Sequence, residues 1–160
     1  MVSVKTNPQS LIGINPMALL KDCHDDAKLT EGLRLTAYKD GEGILSIGYG
    51  RNLEGEGITE DEAEFLLSND LDRILLWAEN NIVWYNSLGA YRQRAIINMI
   101  YNLGTAGFDE FVKFKICMSV GDFAGAAHEL LSSLAAMQDP NRYQWLAKMI
   151  LTDEQAEYGR

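Results

Sequence analysis

The 160-residue chain has few of the residues that define several protein classes. It has only two cysteines, Cys23 and Cys117, and neither has the spacing that zinc and redox motifs use. We therefore expect two reduced thiols, buried or half-buried, with no metal and no cofactor. No apolar run approaches the roughly 18 residues that a transmembrane helix requires, so no membrane span is predicted.

Basic residues are also scarce, because 14 lysines and arginines face 23 aspartates and glutamates, for a net charge of −9. This balance argues against a nucleic-acid partner, since phosphate binding depends on clustered basic side chains. The first 15 residues carry only Lys5 as a charge and lack an apolar segment, so no secretory signal peptide is predicted. We expect the protein to be made in the cytoplasm. If it acts outside the cytoplasm, another component must deliver it there.

The apolar periodicity predicts a mainly helical α+β protein that forms a single domain over residues 1–160. Glycine-rich turns and β-branched residues between Leu33 and Arg51 predict a small β region, with a hairpin turn at Asp40–Gly43. A second turn is predicted at Glu54–Gly57. The domain is expected to comprise an N-terminal arm (residues 1–15), a helix with a small β lobe (16–58), a long interlobe helix (59–80) and a helical lobe (81–160).

Cap and breaker residues predict the helix ends. The first helix is expected from Met17 to about Leu29, with Asn15 as its N-cap. Its buried face is predicted to hold Leu19, Leu20, Cys23 and Ala27. A capping box of Thr59 and Glu62 is expected to begin the second helix, and Thr152 is expected to cap a short turn near the end of the chain. Trp77, Trp84 and Trp145 are predicted to pack in the core. The other helices are predicted at Thr59–Asn81, Tyr91–Leu103, Phe108–Val120, Asp122–Leu134 and Asp139–Ile150.

Three polar residues stand out around the predicted hairpin: Glu31, Asp40 and Ser46. Glu31 is expected at the end of the first helix, Asp40 at the hairpin turn and Ser46 on the returning strand. Two carboxyl groups beside a groove suit glycoside hydrolysis, in which one must be protonated and the other ionised. Each residue by itself is also compatible with an ordinary solvated charge, turn former or strand residue.

The segment Thr30–Arg51 resembles the active-site segment of the phage-type lysozymes, the glycoside hydrolase family 24 muramidases. The family pattern is Glu-Gly-x-Arg-Leu, then Tyr-x-Asp, then Gly-x-x-Thr-Ile-Gly-x-Gly-His. Here it is Glu31–Leu35, Tyr38–Asp40 and Gly43–Arg51. Similar segments follow in order as far as Pro140-Asn141-Arg142, so the resemblance covers roughly Leu29 to Ile150.

The resemblance implies a two-lobe fold with a cleft, and cleavage between N-acetylmuramic acid and N-acetylglucosamine with inversion. Glu31 would be the general acid, while Asp40 and Ser46 would position the attacking water. Arg142 would approach Glu31 across the cleft. The residues implied in substrate binding are Glu42, Ile44, Tyr49, Tyr101, Asn102, Phe108 and Arg142.

The chain departs from the family pattern at Ser46, which replaces Thr, and at Arg51, which replaces His. The hydroxyl survives at position 46, and Arg51 is predicted to pair with Asp70. The charge of −9 is unusual for an enzyme that attacks an anionic wall, so the rate of association should depend on salt.

Two other interpretations stay open at this point: a non-catalytic wall-binding or structural virion component, and a lytic transglycosylase. The expected partner is the peptidoglycan glycan strand, and the protein is expected to be a monomer unless it is part of a larger virion protein. Release by a holin and delivery with the virion are both compatible with the sequence.

Overall fold

The computed structural model describes residues 15–159, so most of the predicted N-terminal arm lies outside the described residues. The chain forms two compact units, with the boundary between Glu60 and Asp61. The mainly helical α+β class predicted from the sequence is confirmed. Between residues 15 and 159, no helix combines the length and apolarity needed to cross a membrane.

The first unit consists of one helix followed by a three-stranded antiparallel sheet in the order β1-β2-β3. Helix α1 is Pro16–Glu31, and the strands are β1 (Arg34–Lys39), β2 (Leu45–Gly48) and β3 (Arg51–Asn52). The predicted N-cap is confirmed, because the Asn15 side chain accepts a hydrogen bond from the Met17 N–H at 3.0 Å. The helix ends before Gly32, whose φ of 68° leaves the helical region.

The predicted buried face of α1 is wrong. Leu19 and Leu20 are 49% and 72% exposed, and Cys23 and Ala27 are exposed as well. Strands of two to six residues offer too little apolar surface to enclose a helix, and Leu35 on β1 is itself 80% exposed. The periodicity therefore identified an amphipathic helix correctly, but not its burial.

Strand β1 carries a bulge that shortens the β1–β2 ladder. Arg34 pairs with Gly48, while Tyr38 pairs with Ser46, so four residue steps of β1 lie opposite two steps of β2. The ladder closes at Lys39, opposite Leu45. The bulge brings the two ends of β1 closer together along the sheet than a regular strand would.

The second unit is a helical assembly around an apolar core. Buried side chains from different helices meet there, such as Ile96, Phe108, Leu130 and Leu146, each 0% exposed. Its elements are α2 (Glu60–Asn81, almost entirely in this unit), a 3₁₀ turn (Tyr85–Ser87), α3 (Ala90–Asp109), α4 (Val112–Ser119), α5 (Phe123–Leu131), α6 (Leu134–Gln138) and α7 (Pro140–Thr152).

Two predicted helix boundaries in this unit are wrong. Gly104 leaves the helical region (φ 70°, ψ 167°), as the predicted stop implied, but the chain resumes helical geometry and α3 runs to Asp109. Phe108 therefore closes α3 instead of opening α4. The predicted Asp122–Leu134 helix ends at Leu131, because Ser133 caps a new helix by accepting the Ala136 N–H at 3.1 Å.

The predicted caps Asp122 and Asp139 are confirmed, since they accept the N–H groups of Gly125 and Arg142 at 2.9 and 3.2 Å. Thr152 ends α7, and its Oγ1 accepts the Glu154 N–H at 3.2 Å, so the predicted cap of a short turn is confirmed.

After α7 the chain returns to the start of α3. Asp153 has a left-handed conformation, with φ of 56°, and its Oδ1 accepts the N–H groups of Tyr91 and Arg92 at 3.1 Å each. Gly89 leaves the space this carboxylate needs, because a Cβ there would lie 1.6 Å from Asp153 Oδ2. The end of α7 thus caps α3 from 62 residues away.

The tryptophans and cysteines follow their predicted burial with one exception. The three tryptophans, Trp77, Trp84 and Trp145, are partly buried against the core, as predicted. Both cysteines are free thiols, and Cys117 is half-buried, but Cys23 is exposed.

Candidate active site

Glu31 is the last residue of α1, and its carboxyl group is exposed. Thr30 Oγ1 donates to Glu31 Oε1 at 3.4 Å. The turn between β2 and β3 lies against the other oxygen, because a Cβ at Gly50 would be 3.6 Å from Glu31 Oε2. Gly50 has φ of 84°, a conformation that favours glycine. The carboxyl group is therefore held between its own helix end and a tight turn.

Asp40 organises the turn between β1 and β2. Its Oδ1 accepts the N–H groups of Glu42 and Ile44, both at 2.9 Å. The backbone adds two bonds of 3.0 Å, from Asp40 N to Ile44 O and from Gly43 N to Asp40 O. Within the described chain, Oδ2 has no hydrogen-bond partner, so one carboxylate oxygen is fixed and the other is available.

Ser46 lies on the central strand, between Tyr38 on β1 and Asn52 on β3. It is 2% exposed and is the only buried polar residue among the residues that the structure describes. Its side chain is therefore held by strand pairing on both sides. A serine lacks the second Cβ substituent that restricts the rotamer of threonine, so this enclosure replaces part of that restriction.

The bulge in β1 shortens the segment of sheet between the end of α1 and the Asp40 turn. From Gly48 to Leu45, β2 spans three residue steps, or about 10 Å at the usual strand rise. A regular pairing of the six residues of β1 would span five steps, or about 17 Å. The strand that connects the Glu31 and Asp40 regions is therefore short.

The three binding residues predicted in this unit lie in its turns. Glu42 is exposed at the β1–β2 turn and Ile44 is half-buried next to it. Tyr49 is 40% exposed in the turn that contacts Glu31, and the Lys28 ammonium lies 5.8 Å from its ring centroid. Both turns thus present side chains to solvent beside the two carboxyl groups.

The second unit holds four predicted binding residues. Tyr101 is 48% exposed and lines a cavity of about 770 Å³ with Trp77 and Gly104. Asn102 is exposed, and its Oδ1 accepts a hydrogen bond from the Tyr143 hydroxyl at 3.1 Å.

Arg142 is half-buried, and its Nε lies 3.4 Å from Asp139 Oδ2. Phe108 is completely buried, with its ring 6.3 Å from that of Trp77 and 6.4 Å from that of Phe114. In this position Phe108 is a core residue that a glycan cannot reach, so the structure gives no support to its predicted role in substrate binding.

The predicted Arg51–Asp70 pair joins residues of different units and stays a prediction. Arg51 Nε donates to the Gly57 carbonyl at 2.6 Å, within the first unit. Asp70 forms an ion pair with Arg73 one helical turn further along α2.

Three neighbours of these side chains are hard to identify from the sequence. Gly50 has a partial signal, the Gly-x-Gly spacing of a tight turn. Lys28 and Tyr143 have none, because a cation one turn before Glu31 and a tyrosine 41 residues after Asn102 become neighbours only in the folded chain. Residues 15–159 contain no group of three or more histidine, cysteine, aspartate or glutamate side chains arranged to hold a metal ion.

Comparison with known proteins gives consistent matches. Residues 28–139 match the model of the family described as Phage lysozyme. A probable T4-type lysozyme from Dictyostelium discoideum is 27% identical over 88% of this chain and 99% of its own length. An endolysin from Acyrthosiphon pisum secondary endosymbiont phage 1 is 33% identical over 65% of this chain and 71% of its own. A pre-baseplate central spike protein from Enterobacteria phage T4 is 28% identical over 81% of this chain but only 27% of its own.

Proposed function

The chain belongs to the phage lysozyme family and is a glycoside hydrolase of peptidoglycan, and from this premise we propose that it cleaves the β-1,4 bond between N-acetylmuramic acid and N-acetylglucosamine with inversion. The observation that carries this mechanism is the shortened β1–β2 ladder, which connects the end of α1, where Glu31 lies, to the turn that Asp40 organises. A hydrolase of this kind needs two carboxyl groups on opposite faces of the scissile bond.

Glu31 is the general acid, which protonates the glycosidic oxygen as the bond to the anomeric carbon breaks. The Gly50 turn supports this role, because it lies next to the carboxyl group: a Cβ added at position 50 would be in van der Waals contact with Oε2, at 3.6 Å. The group is exposed in the free protein, so a bound sugar would remove water from it and leave the leaving oxygen as its hydrogen-bond partner.

Asp40 is the general base, and it holds the attacking water together with the Ser46 hydroxyl. Two N–H donors fix Oδ1, so Oδ2 can accept a proton from the water. Attack from the face opposite the leaving oxygen inverts the anomeric configuration.

Inverting enzymes separate their carboxyl groups by roughly 6.5–9.5 Å to leave room for water, whereas retaining enzymes hold them about 5–5.5 Å apart. The anomer that forms first distinguishes the two outcomes for this protein.

We propose that Glu42, Ile44 and Tyr49 of the first unit bind the glycan, and that Tyr101, Asn102 and Arg142 of the second unit also bind it. All six are exposed or half-buried, so a ligand can reach them. The relatives include a protein of nearly the same length and a spike protein of which this chain matches about a quarter. Release from the host cytoplasm and delivery within a virion are both consistent with this family.

The test is digestion of purified peptidoglycan, with the products analysed by mass spectrometry and the new anomeric proton followed by NMR. We expect reducing N-acetylmuramic acid ends that form first as the α-anomer. Products lighter by one water would instead identify a lytic transglycosylase, and a first-formed β-anomer would overturn inversion.

The acid is tested by Glu31→Gln, with Glu54→Gln as the control because Glu54 is an exposed glutamate of the same unit. We expect Glu31→Gln to lower kcat by about 10²–10⁴-fold with an unchanged Tm, and the control to retain full activity. Normal cleavage by Glu31→Gln would show that another group supplies the proton.

A further inference from the structure

Tyr143 and Asn102 form a hydrogen bond between α7 and α3 that the proposed chemistry does not use. The Tyr143 hydroxyl donates to Asn102 Oδ1 at 3.1 Å. Tyr143 is 1% exposed, whereas Asn102 is exposed at the surface of α3. One oxygen of a surface amide is thus held by a donor from the core.

This contact determines what the amide offers to a ligand. An asparagine amide has an acceptor oxygen and a donor nitrogen on a single plane, and either can point outward when the side chain is free. Because the Tyr143 hydroxyl donates to Oδ1, Nδ2 is the amide atom left to bind a ligand. Burial raises the pKa of Tyr143, so the hydroxyl that makes this bond is protonated at neutral pH.

We propose that Tyr143 is a positioning residue that orients the Asn102 amide so that Nδ2 donates to an acceptor oxygen of the glycan, namely the carbonyl of an acetamido group. This inference rests on the proposed function, because it requires a peptidoglycan strand beside α3. An acetamido carbonyl is uncharged and repeats on every sugar of that strand, so it matches an uncharged donor. The lactyl carbonyl of N-acetylmuramic acid, which carries the stem peptide through an amide bond, is another acceptor oxygen within the same substrate.

The first experiment compares KM and kcat on purified peptidoglycan for Asn102→Asp, Asn102→Ala and Tyr143→Phe. Aspartate keeps an oxygen for Tyr143 but offers no donor, so we expect KM to rise about fivefold with kcat unchanged. Phenylalanine keeps the buried ring and frees the amide to turn over. If half of the amides then point the wrong way, KM rises about twofold.

The control is Tyr85→Phe, because Tyr85 is also a buried tyrosine of the second unit, at 2% exposure. A purely structural role for Tyr143 would lower Tm in both tyrosine variants and leave KM unchanged. Positioning predicts a raised KM in Tyr143→Phe alone, and no further effect of that change in the Asn102→Ala background, where there is no amide to orient.

The second experiment identifies the acceptor oxygen with peptidoglycan that has been chemically de-N-acetylated. We expect the difference in KM between the unaltered protein and Asn102→Ala to disappear on this substrate, because alanine has no charge that would attract the exposed amines. A difference that persists would assign the contact to another acceptor oxygen, such as the lactyl carbonyl, and overturn the acetamido assignment.

Other outcomes would overturn the inference as a whole. A lower KM for Asn102→Asp would mean that the amide acts as an acceptor, and an unchanged KM for Tyr143→Phe would mean that it needs no positioning. These results are distinct from failure of the proposed function, in which the unaltered protein would release no muramic acid ends at all.

Discussion

In the first unit Ser46 is the single buried side chain of the described residues, whereas in the second unit large side chains such as Ile96, Leu130 and Phe108 are completely enclosed. The first unit keeps its geometry through strand pairing, the Asp40 turn and glycines with positive φ. Turns of this kind position functional groups, while a packed core supplies stability. The proposed chemistry and most of the stability therefore reside in different parts of the chain.

The largest effect is expected for Asp40→Asn, which tests whether the catalytic role of Asp40 can be separated from its role in the turn. Asp40→Asn keeps an Oδ1 for the N–H groups of Glu42 and Ile44 but cannot act as a base. We expect kcat to fall by about 10²–10⁴-fold with little change in Tm, measured by peptidoglycan digestion and thermal unfolding. Asp40→Ala is the companion variant, and it should lower both quantities. Full activity in the asparagine variant would mean that no base is needed at this position.

The next effect tests where the stability resides. Leu130→Ala removes a side chain that is 0% exposed in the second unit, and it should lower the free energy of unfolding by about 2–5 kcal/mol. Leu35→Ala makes the same chemical change in the first unit, where the side chain is 80% exposed. It should change the free energy of unfolding by less than about 0.5 kcal/mol. Denaturant unfolding measures both. Equal losses would contradict the contrast between the two units.

A third test compares two glycines of the first unit. Gly50→Ala and Gly48→Ala both place a Cβ on a residue with positive φ, which should cost about 1–2 kcal/mol each. Only the Cβ at position 50 meets the acid, at 3.6 Å from Glu31 Oε2, while the Cβ at position 48 has open space. We expect Gly50→Ala to lose about two- to fivefold more kcat than Gly48→Ala, measured at equal folded fraction, because the added methyl group contacts the acid without a clash. Equal kcat values would show that the turn does not position Glu31.

The smallest effect concerns the cap that closes the second unit. Asp153→Ala removes the acceptor of the Tyr91 and Arg92 N–H groups, and we expect a loss of about 1 kcal/mol in thermal unfolding with activity unchanged. Asp153→Asn retains an acceptor oxygen and should lose less. If alanine and asparagine destabilise equally, the cap bonds contribute nothing beyond the ion pair with Arg92.

Local signals were sufficient for the ends of several elements. The caps Asn15, Asp122 and Asp139 and the helix stop at Gly32 act within a few residues, so their patterns predict them directly. The hairpin turn at Asp40 is equally local. The helix that resumes after Gly104 and the cap at Ser133 were missed, because a breaker or cap residue marks a change of direction without specifying the structure of the next segment.

Burial was predicted less well, because it depends on surfaces from distant parts of the chain. The apolar stripe of α1 predicted a buried face, but Leu19 and Leu20 are exposed. Phe108 was predicted to bind substrate by resemblance to the family, and it lies in the core, where it packs against Trp77 from another helix. An apolar pattern defines a face that favours burial, and only packing decides whether another element covers it.

By itself the sequence determined the fold class, the helix caps and the identity and spacing of Glu31, Asp40 and Ser46, because these depend on backbone propensity and on chemistry within short segments. The tertiary structure alone decided that a bulge shortens the β1–β2 ladder and that the Gly50 turn lies beside Glu31. It alone also decided that Tyr143 reaches Asn102. These contacts join residues that are 19 and 41 positions apart, and no local preference of either segment specifies the register or helix packing that brings them together.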